Sequence, residues 1–267
     1  MTVSFKAAFR ERDFFLLTLD ALRFDVARDT LAAGLAPNLA GLLPGGFERR
    51  HTPATFTFAA HQAFFAGFFP TQVDGAAHAR PLALRFPGSR TVNQSTLILD
   101  GPCIVSALRA AGYHTLSIGG TGFFNPASAL GGVLPARFDE AHWTHEMGVT
   151  SPHSSCLQFE LAAERLRALP AEQRAFVFVN VAATHPPTRM YLRGAVGEST
   201  ETQGAALANV DKHLPLLLDA LRARGGAVGI VCSDHGTCFG EDGLVGHRVA
   251  HESVWSVPYA EVELEAA

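Results

Sequence analysis

The sequence predicts an α/β protein, a three-layer sandwich in which helices cover both faces of a mostly parallel central sheet. Two observations predict this class. Short apolar runs, which suit strands buried on both faces, alternate along the chain with longer segments that have helical spacing. In addition, 48% of the 267 residues are hydrophobic and only 17% are charged, so the chain can bury a large core.

In the first half of the chain, elements are predicted from apolar runs and from the turn residues that bound them. Residues 14–19 form a continuous run that suits a buried strand. Residues 37–43 are predicted to form a short helix, which a Pro-Gly-Gly turn stops, and residues 57–69 a helix that ends at a proline. Residues 71–97 show no clear period and are predicted to be loop.

Helices and strands alternate more regularly in the second half. The predicted elements are, in chain order, a helix at 102–111, a strand at 113–118, a helix at 157–169, a strand at 175–181, a helix at 204–223 and a strand at 227–232. Glycines follow the first and the last of these helices, as is common at helix ends. Residues 120–155 have no strong period, so we expect a loop-rich cap over a site. No repeat or linker divides the sequence, and one domain over residues 1–267 is predicted.

Net charge and composition disfavour several kinds of partner. The net charge of −4 and the pI of about 6.3 argue against a general nucleic-acid binder. The apolar runs fall far short of the roughly 18 residues that cross a membrane, and the first residues do not resemble a signal peptide. Four cysteines occur without a CxxC pair, as expected of buried, reduced thiols. We therefore expect a cytoplasmic protein without a membrane partner.

Polar residues follow three of the predicted strands. Asp20 ends the first strand, His185 follows the strand at 175–181, and Asp234 and His235 follow the last. Because ligands bind beyond the carboxyl ends of parallel strands, we expect these side chains to converge. Carboxylate and imidazole groups together suit a metal ion. The alternatives are that Asp20 caps a helix at residues 21–27 and that Asp234 forms a turn beside a surface histidine.

Hydroxyl and imidazole groups elsewhere add to these candidates. Thr57 begins a predicted helix, where its hydroxyl either caps the helix or attacks a phosphoryl group held by the free N–H groups; the spacing leaves both open. His61 lies one turn further along the same helix. His247 and His251 are four residues apart, which on a helix suits either a metal or a solvated face, although nearby glycines favour a loop.

Six segments, in this order, resemble the alkaline phosphatase/sulfatase superfamily. They are LLTLDALRFD, APNLAGLL, TFAAHQAFFAGFFP, LRAAGYHTLSIGG, VNVAATHPP, and IVCSDHGTCFGEDGLVGH followed by HESVWSVPY. The resemblance implies an alkaline-phosphatase-like fold and the chemistry of a small bacterial sulfatase-like hydrolase. It implies that Asp20, Asp234 and His235 are metal ligands and that Thr57 is both the nucleophile and a ligand.

The resemblance also assigns roles to the histidines. His61, His185 and His247 match positions that hold the anionic oxygens of the substrate or protonate the leaving group. His185 and His247, with His251, are alternative ligands of a second metal or of the substrate. One site for a divalent ion (Mn, Zn or Ca) is favoured, because no carboxylate for a second ion is found.

Two departures from the family pattern narrow the predicted reaction. Position 57 is threonine, and a formylglycine sulfatase needs cysteine or serine there, so sulfatase activity is disfavoured. Ala21 replaces a second acidic residue beside Asp20, which implies a reduced metal shell. We therefore predict a hydrolase of small anionic phosphate esters (monoester, diester or phosphonate ester) that acts through a phosphorylated Thr57. The alternatives are a phosphotransferase with the same chemistry and a non-catalytic protein that binds a metal, an anion or a partner.

Overall fold

The structure, a computed structural model, describes residues 3–67 and 103–267 and, between them, the backbone of two short strands. The helices are α1 Phe5–Ala8, α2 Phe24–Ala32, α3 Pro37–Leu42, α4 Thr57–Ala66, α5 Ile104–Ala110, α6 Ser154–Ala168, α7 Thr200–Ala223 and α8 Glu252–Trp255. The strands are β1 Asp13–Leu19, β2 Glu48–His51, β3 Leu82–Ala83, β4 Leu97–Ile98, β5 His114–Ile118, β6 Glu140–His142, β7 Ala175–Val181, β8 Ala227–Cys232, β9 Cys238–Phe239, β10 Val245–Gly246 and β11 Ser256–Leu264. No helix of the described ranges is both long and apolar enough to span a bilayer.

Seven strands form the central sheet in the order β2-β11-β8-β1-β7-β5-β6. The five strands from β8 to β6 run parallel, whereas β11 is antiparallel to both of its neighbours. In the middle of the sheet, Leu17 of β1 lies opposite Val179 of β7 and Val231 of β8. The carboxyl ends of β8, β1 and β7 therefore lie side by side. The predicted α/β class with a mostly parallel sheet is confirmed.

Two hydrophobic clusters lie on opposite faces of this sheet. Phe15, Leu17 and Leu19 of β1 pack in one cluster with buried side chains of α2, α3, α6 and α7. Phe14 of β1 packs in the other cluster with side chains of α4 and α5. Because side chains alternate along a strand, β1 supplies both faces and becomes the centre of three layers.

The structure departs from the predicted elements mainly at the edges of the sheet. Strands β2 and β11 were not predicted, because β2 is short and wholly exposed and β11 alternates buried residues with exposed glutamates only near its end. The segment 120–155, predicted as a loop-rich cap, contains three 3-10 turns and also the edge strand β6. Helix α4 ends at Ala66, where Gly67 adopts a left-handed conformation with φ of 77°. The remainder of the predicted helix and the loop at 71–97 lie outside the fully described residues.

A buried ion pair links the first residue of β1 to the residue that follows α7. Asp13, the first residue of β1, accepts a hydrogen bond from Nε of Arg224 at 2.7 Å and another from the backbone N–H of Ala175 at 2.9 Å. Arg224 follows α7 and also donates to the carbonyl of Leu166 in α6 at 3.1 Å. Asp13 is fully buried and only 6% of the Arg224 side chain is exposed. This pair therefore ties β1 and β7 to the two long helices.

We expect the substitution Arg224→Met to lower the free energy of unfolding by about 3 kcal/mol, because it removes the hydrogen-bonded guanidinium from the buried Asp13 carboxylate and leaves it only the N–H of Ala175 and the more distant Arg174, at 3.8 Å. Chemical denaturation measures this change. Arg222→Met is the matched control: Arg222 lies in the last turn of α7 and pairs with Asp219 in solvent, so the expected change is under about 0.5 kcal/mol. Equal losses in the two variants would contradict this assignment.

Candidate metal and nucleophile site

Asp20, Asp234 and His235 meet at the carboxyl edge of the sheet. One ligand atom from each lies within 4.8 Å of the other two, and all three side chains are fully buried. Asp20 directly follows β1, and the other two follow β8, the parallel neighbour of β1. The structure therefore brings these three predicted ligands together. Among the described residues, it places no other group of three His, Cys, Asp or Glu side chains this close together.

Each carboxylate is held by one oxygen and leaves its other oxygen bare. Asp20 Oδ2 accepts from Nδ2 of Asn180 at 2.9 Å, and Asp234 Oδ1 accepts from the backbone N–H groups of Ala21 at 3.1 Å and His235 at 3.0 Å. Oδ1 of Asp20 and Oδ2 of Asp234 are buried without a hydrogen-bond partner. Nε2 of His235 lies 3.7 Å and 3.6 Å from these two oxygens. Two bare oxygens facing one imidazole nitrogen fit a divalent cation.

The electrostatics of the two carboxylates agree with this fit. Burial, and next the charge of Asp234, raise the pKa of Asp20 to about 6. Burial also raises the pKa of Asp234 to about 7. Two carboxylates in one dry site disfavour simultaneous ionisation unless a positive charge offsets them. A bound cation would supply that charge.

The backbone conformation at Ala21 and the close chain packing at Gly236 fix the positions of the neighbouring ligands. Ala21 has a left-handed conformation with φ of 59°, which is unusual without glycine and turns its N–H toward Asp234. The interpretation of Asp20 as a helix cap is wrong, because α2 begins only at Phe24. Gly236 does not have a positive φ; it is needed for close approach, since a Cβ there would lie 2.0 Å from the carbonyl oxygen of Ser253.

Helix α4 carries Thr57 to the same place. Its Oγ1 lies 3.5 Å from Oδ2 of Asp20 and 3.3 Å from Nε2 of His235. Phe56 occupies the cap position, and no side chain caps the helix. The Thr57 hydroxyl therefore does not cap the helix and lies beside the ligands, and its role as nucleophile stays a prediction.

His235 is oriented for ligation by its second ring nitrogen. Its Nδ1 lies 2.8 Å from the carbonyl oxygen of Gly236, so Nδ1–H donates there and the lone pair of Nε2 faces the two bare oxygens. Burial lowers the pKa of His235, which favours the neutral form that a metal requires.

His61 lies behind Thr57 in an aromatic surround. Its Nδ1 is 2.7 Å from the carbonyl oxygen of Thr57, its Nε2 is 3.1 Å from Oγ1 of Thr18, and the rings of Phe124 and Phe178 meet it edge to face. Burial lowers the pKa of His61 to about 3, so the ring is neutral at pH 7. This place suits a residue that positions α4. The predicted contact of His61 with substrate oxygens stays a prediction.

Two of the remaining predicted histidines border the site and one does not. The ring of His247 lies 4.6 Å from that of His235 and 5.3 Å from that of His185, measured between centroids, and both bordering rings are half-buried. His251 instead caps the short helix α8 by accepting from the backbone N–H of Ser253 at 3.1 Å, and its Nε2 lies 3.3 Å from Asp242. The chain between His247 and His251 is not helical, in agreement with the loop that the nearby glycines favour, so the two histidines do not share a helix face.

Asn180 was missed by the sequence reasoning. It is fully buried in β7 and fixes Asp20, yet it stands in a strand whose other residues are apolar. That single buried amide in an otherwise apolar strand was the available signal, since an unpartnered amide would be costly there.

Comparison by sequence gives no relative: no family model matches the chain, and no curated protein does. Comparison of folds gives several. The soluble domain of lipooligosaccharide phosphoethanolamine transferase A from Neisseria meningitidis covers 96% of this chain and 77% of its own, with a TM-score of 0.63 and 15% identity. The C-terminal periplasmic domain of EcEptC from Escherichia coli, in complex with zinc, covers 95% and 73%, with a TM-score of 0.61 and 13% identity.

A third structure, a protein of the alkaline phosphatase superfamily from Vibrio parahaemolyticus, covers 96% of this chain and 61% of its own, with a TM-score of 0.57 and 16% identity. At such low sequence identities, the structural similarity establishes a shared fold. The resemblance predicted from six sequence segments is confirmed at that level, because the chain has the fold of this superfamily. The expectation of a cytoplasmic protein is wrong in light of the same comparison, since matched structures from E. coli and Campylobacter jejuni are periplasmic domains.

We expect the two buried carboxylates to destabilise the metal-free protein increasingly as pH rises from about 4 to 7. The folded-state pKa values of Asp20 and Asp234 lie above the unfolded value of 3.8, so these two groups bind more protons in the folded state. The lowered pKa values of His61 and His247 act in the opposite direction in this window, so the effect of the carboxylates is measured as a difference between wild type and a variant. Asp234→Asn keeps an oxygen for both backbone N–H groups and removes the charge, so its unfolding free energy should rise relative to that of wild type as pH rises, by about 1.4 kcal/mol per pKa unit.

Chemical denaturation of chelator-treated protein at several pH values measures this difference. Added zinc or manganese should restore the stability of wild type at pH 8 and leave Asp234→Asn nearly unchanged. Asp219→Asn, at an exposed carboxylate, is the control and should follow wild type. Parallel stability curves for wild type and Asp234→Asn would refute the site.

Proposed function

We propose that this chain is a metal-dependent enzyme that cleaves small anionic phosphate esters by way of a covalent intermediate on Thr57, with water as the final acceptor. The observation that carries the proposal is the position of the Thr57 hydroxyl, at 3.5 Å and 3.3 Å from two of three converging ligand groups whose carboxylates each keep a bare oxygen. The superfamily fold supports the proposal, since a shared fold raises the expectation of a shared site without establishing it.

Asp20, Asp234 and His235 would hold the divalent ion, with Thr57 beside them. When bound, the ion supplies positive charge, which offsets the carboxylates and lowers the pKa of the neighbouring hydroxyl. The zinc complex of the E. coli domain supports a divalent ion as cofactor. We favour one ion, because in the described part of the chain no additional carboxylate accompanies His185 and His247 at the border of the site.

The residues of the chain account for the remaining steps. The Thr57 hydroxyl gives its proton to the nearest carboxylate oxygen, Oδ2 of Asp20, as its Oγ forms a bond to phosphorus and the bond from phosphorus to the leaving oxygen breaks. Free N–H groups in the first turn of α4 face the negative phosphoryl group. His247 donates a hydrogen bond to its outer oxygens or to the leaving oxygen, and His185, whose Nδ1–H donates to the carbonyl of Pro186 at 2.6 Å, donates from Nε2 only as the imidazolium. Water then attacks phosphorus, the bond from phosphorus to Oγ of Thr57 breaks, and Oγ takes back the proton from Asp20.

Substitution of the nucleophile tests this mechanism. We expect Thr57→Ala to lower turnover of 4-nitrophenyl phosphate by at least about a thousandfold, because no other hydroxyl replaces the attacking atom. Thr57→Ser should retain measurable turnover. Thr55→Ala, two residues earlier in the same segment, is the matched control and should keep wild-type rates.

Metal content, measured by mass spectrometry, shows whether a variant has lost activity because it lacks the attacking hydroxyl or because it no longer binds the metal. Thr57→Ala should retain most of its zinc or manganese, since three ligands remain. Turnover by Thr57→Ala at the wild-type rate would refute the nucleophile. A wild-type protein that binds metal and turns over no phosphate ester would favour the non-catalytic alternative.

A phosphotransferase is the second candidate, because one of the matched structures is a phosphoethanolamine transferase. The ratio of phosphate to 4-nitrophenol released in the presence of glycerol or ethanolamine distinguishes the two reactions. Hydrolysis predicts a ratio of about one at every acceptor concentration. A ratio that falls as acceptor is added, with a rising rate of 4-nitrophenol release, would establish transfer instead.

A further inference from the structure

Arg248 contacts the segment that immediately precedes Thr57. Its backbone N–H donates to the carbonyl oxygen of Thr55 at 2.9 Å, and its guanidinium carbon lies 5.5 Å from the ring centroid of Phe56. Phe56 immediately precedes Thr57 and His247 immediately precedes Arg248. The arginine is therefore fixed, by backbone and by side chain, to the segment that carries the nucleophile. Its backbone is left-handed, with φ of 71°.

Comparison with Arg10 shows which of these features matters. Arg10 has almost the same backbone angle, 69°, and its guanidinium carbon also lies 5.5 Å from a phenylalanine ring, that of Phe9. Backbone conformation and ring stacking are therefore shared by an arginine that lies at the amino-terminal edge of the fold. What distinguishes Arg248 is that its stacking partner adjoins Thr57.

Arg248 adjoins the candidate site along the chain as well. It directly follows His247, whose ring centroid lies 4.6 Å from that of His235. The site residues Asp20 and Asp234 are fully buried, whereas Arg248 is exposed. The guanidinium thus lies at the surface against Phe56, the residue that precedes Thr57.

Arg248 has no carboxylate partner among the described residues. The buried arginines Arg23 and Arg224, by contrast, each contact carboxylates. The surface beside Arg248 is aromatic, since the ring of Phe123 lies 6.3 Å from that of Phe56 and 5.7 Å from that of Phe58. A ligand on this side of Thr57 would meet an apolar wall and a cation that pairs with no carboxylate of residues 3–67 or 103–267.

We infer that Arg248 binds a second anionic group on the substrate, carried by the leaving alcohol, while the rings of Phe56 and Phe123 contact the apolar part between the two charges. This inference rests on the proposed function for the identity of the first group. It names a class of substrate, phosphate esters whose leaving alcohol carries a carboxylate or a further phosphate on an apolar frame. A guanidinium is suited to either oxyanion because its planar N–H groups pair with two oxygens.

Two matched, non-hydrolysable probes test the inference by calorimetry on the metal-loaded chain. Phenylphosphonate carries one anionic group, and 3-carboxyphenylphosphonate carries a second on the same frame. We expect wild type to bind the carboxylated probe about tenfold or more tightly than the plain one. Arg248→Gln should abolish that preference and change the affinity for phenylphosphonate by less than about threefold. Arg248→Lys should keep part of the preference, and Arg10→Gln should keep all of it.

The outcomes separate this inference from the proposed function. A preference that survives Arg248→Gln, an equal loss of affinity for both probes, or no preference in wild type would overturn the inference. Turnover of 4-nitrophenyl phosphate by wild type and its loss in Thr57→Ala report on the proposed function alone. If the preference for the carboxylated probe depends on Arg248 but wild type shows no turnover, the second anion site is supported and the proposed enzymatic activity is refuted.

Discussion

The burial of two carboxylates at the ends of adjacent parallel strands is the constraint on which the rest of the site depends. Asp20 and Asp234 each keep one oxygen satisfied and one oxygen bare. Such an arrangement is costly in a dry interior, so it persists only where neighbouring groups hold it in place. Asn180 and the unusual backbone of Ala21 hold the satisfied oxygens, and the Thr57 hydroxyl lies 3.5 Å from the one that Asn180 holds. The parallel β8-β1-β7 arrangement brings the carboxylates and Asn180 together, and α4 adds Thr57.

The fold could be predicted from the sequence where burial leaves a simple signal. Strands β1, β7 and β8 are buried on both faces and therefore read as continuous apolar runs, and their predicted bounds agree with the structure to within one residue. The edge strands β2 and β6 give no such signal, because β2 is exposed, β6 is only half-buried and neither is a continuous apolar run. Their positions in the sheet depend on pairing with strands that are distant in the sequence, and the local pattern of apolar residues does not encode this pairing.

The site was predictable to the extent that chain topology decides it. Asp20, Asp234 and His235 converge because parallel strands end at one edge, a rule that needs only strand order. His251 could not be placed, since its role depends on the path of an irregular loop. Arg248 was missed for the same reason: a charged residue after a glycine-rich stretch looks like ordinary surface until the loop is seen to return to Thr55.

The contact at Gly236 gives that loop a fixed base. The N–H of Gly236 donates to the carbonyl of Val254 at 2.7 Å, and the absence of a side chain lets the chain at Ser253 pass directly against it. Residues 237–250 thus leave and re-enter the fold at one pinched point, next to the ligands but beyond them. Changes in the length or sequence of this loop need not displace Asp234 or His235. They would change the surroundings of His247 and Arg248, and therefore the groups that a substrate meets, while Asp20, Asp234, His235 and Thr57 stay in place.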